Sequence, residues 1–197
     1  MTTRTAPEKP EPRAVPAKCL AAARWLAEKL PNVFFDPFDA DRLDVVDAML
    51  RAIHDGGWEV AEAPRGIGTT SIAMGLIAMG MHEGSIVAPL VIGPRWSQAS
   101  CARRWIIDVW AIERRDSPLR ELARIAARGI WQPLGGHHVD FVLLDSVDSP
   151  VFRRSATDRA RLAAIREHDI PALFAPNRTI RVADLRSVDG RERTPAQ

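Results

Sequence analysis

A chain of 197 residues, 46% hydrophobic and 26% charged, is long enough to bury the core of one domain. A formal net charge of +2 excludes nucleic-acid affinity from bulk charge alone, and two cysteines, Cys19 and Cys101, exclude a disulfide framework and show no metal-ligand spacing. No apolar run reaches the ~20 residues of a membrane span, and the Pro-rich, charged start is not a signal peptide, so a cytoplasmic protein without a membrane partner is expected.

Residues 1–16 are expected to form a disordered Pro-rich tail. Residues 17–57 read as a helical N-terminal segment. A first helix from Ala17 to Leu30 places Leu20, Ala23, Leu26, Ala27 and Leu30 on one side, and Pro31 and Asn32 end it. After the aromatic-rich loop Val33–Phe38, Asp39 caps a second helix that runs to about His54 with Val45, Val46, Met49, Leu50 and Ile53 inward. Gly56 and Gly57 stop it.

Residues 58–185 alternate between strands and helices. Trp58 to Ala63 alternates in polarity as a short strand does, and Thr70 to Met81 is apolar enough for a buried helix. Ile86 to Ile92 suits a buried strand, although Pro89 argues against a regular one. Helices are predicted from Ser97 to about Arg115 and from Pro118 to Arg128, then a turn at Gly135–His138. Val139 to Leu144 is an apolar strand that ends in Asp145; a helix from Ser155 to His168, capped near Ser155 or Thr157, and a last strand from Thr179 to Val182 follow. Residues 186–197 read as a polar tail. Such alternation predicts an α/β fold, a parallel sheet with helices on both faces. Arginine is unevenly spread: residues 101–128 hold seven basic side chains against four acidic ones, and residues 151–197 ten against six. This excess is either a nucleic-acid face or solvated helix surface.

Between the strand at 58–63 and the helix after it lies Ala63-Pro64-Arg65-Gly66-Ile67-Gly68-Thr69-Thr70. A phosphate-binding loop has the pattern G-x-x-x-x-G-K-[ST] in this setting. Ala63 holds the first glycine position, Gly68 the second, Thr69 the lysine position and Thr70 the hydroxyl position. Gly66 and Gly68 permit a tight turn whose amides, with the helix N-terminus, would cradle phosphate, while Thr70 would offer its hydroxyl to Mg²⁺. The plain alternative is a glycine-containing turn without a ligand. The only lysines are Lys9, Lys18 and Lys29, so a phosphate clamp would fall to arginine, with Arg65 in the loop and Arg95 after the next strand.

A second constellation is Val142-Leu143-Leu144-Asp145. In nucleotide hydrolases a strand of this kind lies beside the phosphate-loop strand and its aspartate helps to hold Mg²⁺. The alternative is an aspartate that only ends a strand. The next residue is Ser146, where an acid usually orients the attacking water, and the next acid is Asp148. His137 and His138 read as a loop pair, and the tryptophans at 96, 105, 110 and 131 read as packing residues or as base-stacking platforms.

Together these stretches resemble the ATPase half of phage terminase large subunits. The resemblance runs from Phe35-Asp36-Pro37-Phe38 through Ala63–Thr70 to Val91-Ile92-Gly93 and the helix start Trp96-Ser97-Gln98-Ala99-Ser100. It continues through Arg128-Gly129 and Val139–Asp145 to Ser155–Arg159 and Leu173-Phe174-Ala175-Pro176. It implies an ASCE-type P-loop NTPase fold, ATP and Mg²⁺ as cofactors, and double-stranded DNA and phage packaging proteins as partners. It also implies a homo-oligomer and a phage or prophage protein in a bacterial host. In the family a nuclease domain follows, for which this chain is too short. The resemblance assigns nucleotide contacts to Pro64, Arg65, Gly66, Ile67, Gly68, Thr69 and Thr70, Mg²⁺ to Thr70 and Asp145, and γ-phosphate sensing to Arg65. Asp148 is the substitute for the missing second acid. The departures are Thr69 in place of lysine and Ser146 in place of an acid. They make a pseudo-ATPase, binding nucleotide, DNA or a packaging partner without turnover, the rival expectation; an unrelated α/β protein with a mimicking loop is the third.

Overall fold

The computed structural model describes residues 15–113, 124–135, 138–148, 155–174 and 178–188. Nearly all of the expected N-terminal tail, residues 118–123 of an expected helix, His137 and residues 189–197 lie outside these. The elements are α1 (Ala17–Lys29), α2 (Ala40–His54), β1 (Gly57–Pro64), α3 (Thr69–Glu83), β2 (Pro89–Gly93), α4 (Trp96–Glu113), β3 (Ala126–Gly129), β4 (Phe141–Asp145), α5 (Ala156–Ala164) and β5 (Arg181–Val188). A π-helical turn at Ile165–Asp169 and a 3₁₀ turn at Pro171–Leu173 follow α5.

The five strands form one parallel sheet in the order β1-β5-β4-β2-β3. Successive strand residues point to opposite faces, so each strand feeds two cores. Ala61, Ala63, Val91, Phe141, Leu143, Ala183 and Leu185 join the core built with α1, α2, α3 and α4. Leu90, Ile92, Val142, Leu144 and Val182 join a second core with Leu162 of α5 and with Ile165 and Ile170. The fold is therefore the expected α/β sandwich with helices on both faces. The N-terminal helices are not a separate layer, since Leu26, Val46 and Ile53 share the first core with α3. Their caps follow the sequence: Asp39 accepts the amide of Arg42 at 2.9 Å, and Ser155 that of Asp158 at 2.9 Å.

Four expectations change. The segment 126–129 is a strand at the sheet edge, not the end of a helix from Pro118. Alanine and arginine favour helix, but pairing with β2 overrides so weak a local preference in four residues. The second strand starts at Pro89 rather than Ile86, at the one strand position where the missing N–H costs no ladder bond. The last strand runs from Arg181 to Val188, so the polar tail begins at least three residues later than expected. The strand ending in Asp145 also does not pair with β1, because β5 lies between them.

Candidate functional site

The C-terminal ends of β4 and β5 meet the start of α3 at one cleft. At Pro64 the chain leaves the sheet, turns through Arg65–Gly68 and enters α3. Gly66 and Gly68 have φ of 86° and 88°, the left-handed region that suits glycine, so the turn depends on both. Gly68 is the N-cap of α3 and has no side chain to cap it, which leaves the first-turn amides directed at the loop. Ile72 to Gly80 are all buried, so the helix end is held firmly. Arg42 of α2 braces the turn, donating Nε to the carbonyl of Ile67 at 3.1 Å and Nη1 to that of Pro37 at 3.4 Å. No spacing in the sequence marks Arg42 for this task.

Across the cleft stands Asp145, buried at the tip of β4 with 8% exposure. Thr70 donates its hydroxyl to Asp145 Oδ1 at 2.9 Å across 75 positions of sequence. Ser146 donates to the same oxygen at 3.3 Å. Ser146 has φ 54°, a left-handed conformation uncommon for a residue with a side chain, and its amide is held by the carbonyl of Leu185 at 3.0 Å. Burial pushes the Asp145 carboxyl above its ordinary value, and the hydroxyls of Thr70 and Ser146 pull it partly back. The carboxylate thus sits in a dry position with hydroxyl donors and, among the described residues, no cation paired with it, an arrangement suited to receiving a metal ion.

The cleft has a volume of about 520 Å³. Thr70 and Ser71 of α3, Asp145 at the end of β4 and Ser146 just after it, Ser187 of β5 and Cys101 of α4 line it. Ser187 was outside the residues that the sequence pointed to, because the strand carrying it extends beyond the predicted one. Arg65 is exposed in the turn and Thr69 is half-buried at the start of α3.

Asp148 is committed elsewhere. Its carboxylate pairs with Arg166 from the π-helical turn and lies 3.5 Å from Arg186 Nε of β5. Both arginines also bind Asp184, at 2.7 and 3.0 Å. Asp184 is wholly buried and pairs in register with Leu144, on the face of the sheet opposite to that of Asp145. Asp148 is therefore built into an ion network rather than aimed at Thr70 and Asp145.

The described residues contain no group of three or more His, Cys, Asp or Glu that could hold a metal ion by itself. None of their helices is long and apolar enough to cross a membrane. The tryptophans divide, since Trp110 is buried while Trp96 and Trp131 are more than half exposed. No protein-family model and no curated protein sequence matches the chain significantly.

Proposed function

We propose that the chain is a P-loop NTPase-type domain, similar to the ATPase half of terminase large subunits, that binds a Mg²⁺-nucleotide in the cleft between the 64–70 loop and Asp145. The observation that carries this reading is the Thr70–Asp145 hydrogen bond. Two residues 75 positions apart, singled out for one shared ion, touch at the junction of a glycine turn and an uncapped helix N-terminus. The residues fit the ion. Mg²⁺ is commonly held by one or two carboxylates, with substrate phosphates and water completing its shell. A single buried carboxylate beside a threonine hydroxyl meets that need only when a nucleotide arrives with the metal. Amides of residues 66–70 would receive the phosphates without help from a lysine.

A second reading, that of a pseudo-ATPase, rests on the surroundings of Asp148. Ser146 follows Asp145 and Asp148 is tied to Arg166 and Arg186, so neither position offers an acid to orient water beside the bound phosphate. Thr69 in addition leaves the phosphates without a compact ammonium. Binding with little turnover is the expected behaviour, and any role in moving double-stranded DNA would depend on partners that restore hydrolysis. The test is calorimetric titration of the full chain with ATP and Mg²⁺, alongside steady-state phosphate release. Weak, Mg²⁺-dependent binding that Asp145→Asn weakens by about one to two decades is the expected result. No heat at millimolar nucleotide would remove the nucleotide-site reading, and brisk turnover would remove the pseudo-ATPase.

A further inference from the structure

A larger groove, about 980 Å³, lies away from this cleft and follows the outer edge of β3. It is lined by Trp96, Ser100 and Arg103 of α4, by residues of β3, and by His138 and Arg178. Four arginines line it, Arg103, Arg124, Arg128 and Arg178. Among the described residues of the lining there is one carboxylate, Asp140, and its oxygens accept the backbone amides of Val87 at 2.7 Å and Ala88 at 2.8 Å. The described lining residues thus carry an excess of positive charge, four arginines against one carboxylate. Arg103 Nε is buried without a hydrogen-bond partner, a donor that has lost water and still requires an acceptor.

Trp96 stands in the same groove with 55% of its surface exposed. Its backbone lies so close to Gly129 that a Cβ there would come within 2.7 Å of the Trp96 amide, so glycine is what lets α4 begin against the end of β3. Trp131, 57% exposed, follows two residues after Gly129. Guanidinium groups together with an exposed aromatic ring in one groove are the elements that bind single-stranded nucleic acid: arginine for phosphate, an aromatic face for an unpaired base. A duplex keeps its base faces stacked and cannot use the rings. The edge strand, four residues long and flanked by arginine, is a poor template for an added peptide strand.

We propose that the groove along β3 binds single-stranded nucleic acid, with phosphates on Arg103, Arg124, Arg128 and Arg178 and a base stacked on Trp96. The site is separate from the nucleotide cleft and owes nothing to it.

Fluorescence anisotropy of a labelled twelve-residue oligothymidylate with the full chain at low salt tests this, without ATP, so its outcome is independent of the nucleotide reading. Saturable binding is expected, with quenching of tryptophan emission and a log–log salt slope near −0.7 for each phosphate neutralised. The double variant Arg124→Glu/Arg178→Glu, at two exposed positions, should weaken binding at least tenfold and flatten the slope. Trp96→Ala should weaken it roughly fivefold or more and reduce the quenching, while Trp96→Phe retains most of the affinity. Should the charge variant fail to fold by circular dichroism, the Trp96 pair decides. Absence of saturable binding, equal or tighter binding of a twelve-base-pair duplex, displacement by equimolar inorganic triphosphate, or indifference to Trp96→Ala would each overturn the proposal.

Discussion

Asp145 ends β4 and Asp148 follows three residues later in the turn, and the fold uses them in opposite ways. Asp145 faces the α3 side of the sheet, and its side-chain partners among the described residues are the hydroxyls of Thr70 and Ser146. Asp148 joins Asp184, Arg166 and Arg186 on the other side, where each carboxylate faces guanidinium. A carboxylate already neutralised by two arginines is a strut. One held dry with nothing but hydroxyls keeps its charge available for a ligand, at a cost to the folded state. Sequence proximity to a motif therefore does not make an acid part of a site; the face of the sheet decides.

The largest effect expected from breaking this contrast is on the strut side. Arg166→Ala removes one of the two arginines that pair with Asp148 and with the fully buried Asp184, and loss of one partner from a buried network costs about 3 kcal/mol. Urea denaturation should show that loss with nucleotide binding, if present, unchanged in protein that remains folded; a change below about 0.5 kcal/mol would mean that the network is only surface decoration.

Asp145→Asn should do the reverse. It removes the buried charge but keeps a carbonyl acceptor for Thr70, so stability holds or rises while Mg²⁺-nucleotide affinity falls by about one to two decades. The pH dependence has a definite sign. The folded state holds the Asp145 proton more tightly than the unfolded chain, so this group's contribution to stability falls as pH rises from the ordinary carboxylate value of 3.8 through its raised value. The melting temperature of Asp145→Asn relative to the parent should therefore be highest at neutral pH and converge with it in acid. Parallel curves across the range would show that Asp145 is not held against its charge.

Thr69→Lys sharpens the same contrast, since it adds to the cleft the compact cation that it lacks. It should tighten ATP binding by roughly one decade, while phosphate release should also require Ser146→Glu, with the pair non-additive. Equal turnover in the single and double variants would show that water needs no acid there. The smallest effect is chemical. Cys101 is exposed and lines the cleft, whereas Cys19 is buried and its thiol is pushed up to about 12 by burial and by its hydrogen bond to Asp47. At neutral pH a maleimide should therefore label one thiol, with modest protection by Mg²⁺-nucleotide; labelling of both would indicate that α1 opens readily.

What the sequence determined by itself is the local order of the chain. The caps at Asp39 and Ser155, the glycine turn at 66–68, the helices around it and the apolar strand ending at Asp145 all depend on neighbours within a few residues, where period, capping and turn chemistry act directly. The pairing of Thr70 with Asp145 could also be anticipated, because the motif frame is local at both ends. Only the tertiary structure decided the rest. Four residues rich in alanine and arginine become β3 because a sheet edge accepts them, and β5 slides between β1 and β4 while burying Asp184 because Arg166 arrives from 18 residues earlier to meet it. The bracing of Ile67 by Arg42, the entry of Ser187 into the cleft and the loss of Asp148 to the opposite face have the same origin. Each is a contact between segments whose separation in sequence carries no information about their separation in space, and burial and charge pairing across the sheet, rather than local propensity, set its energy.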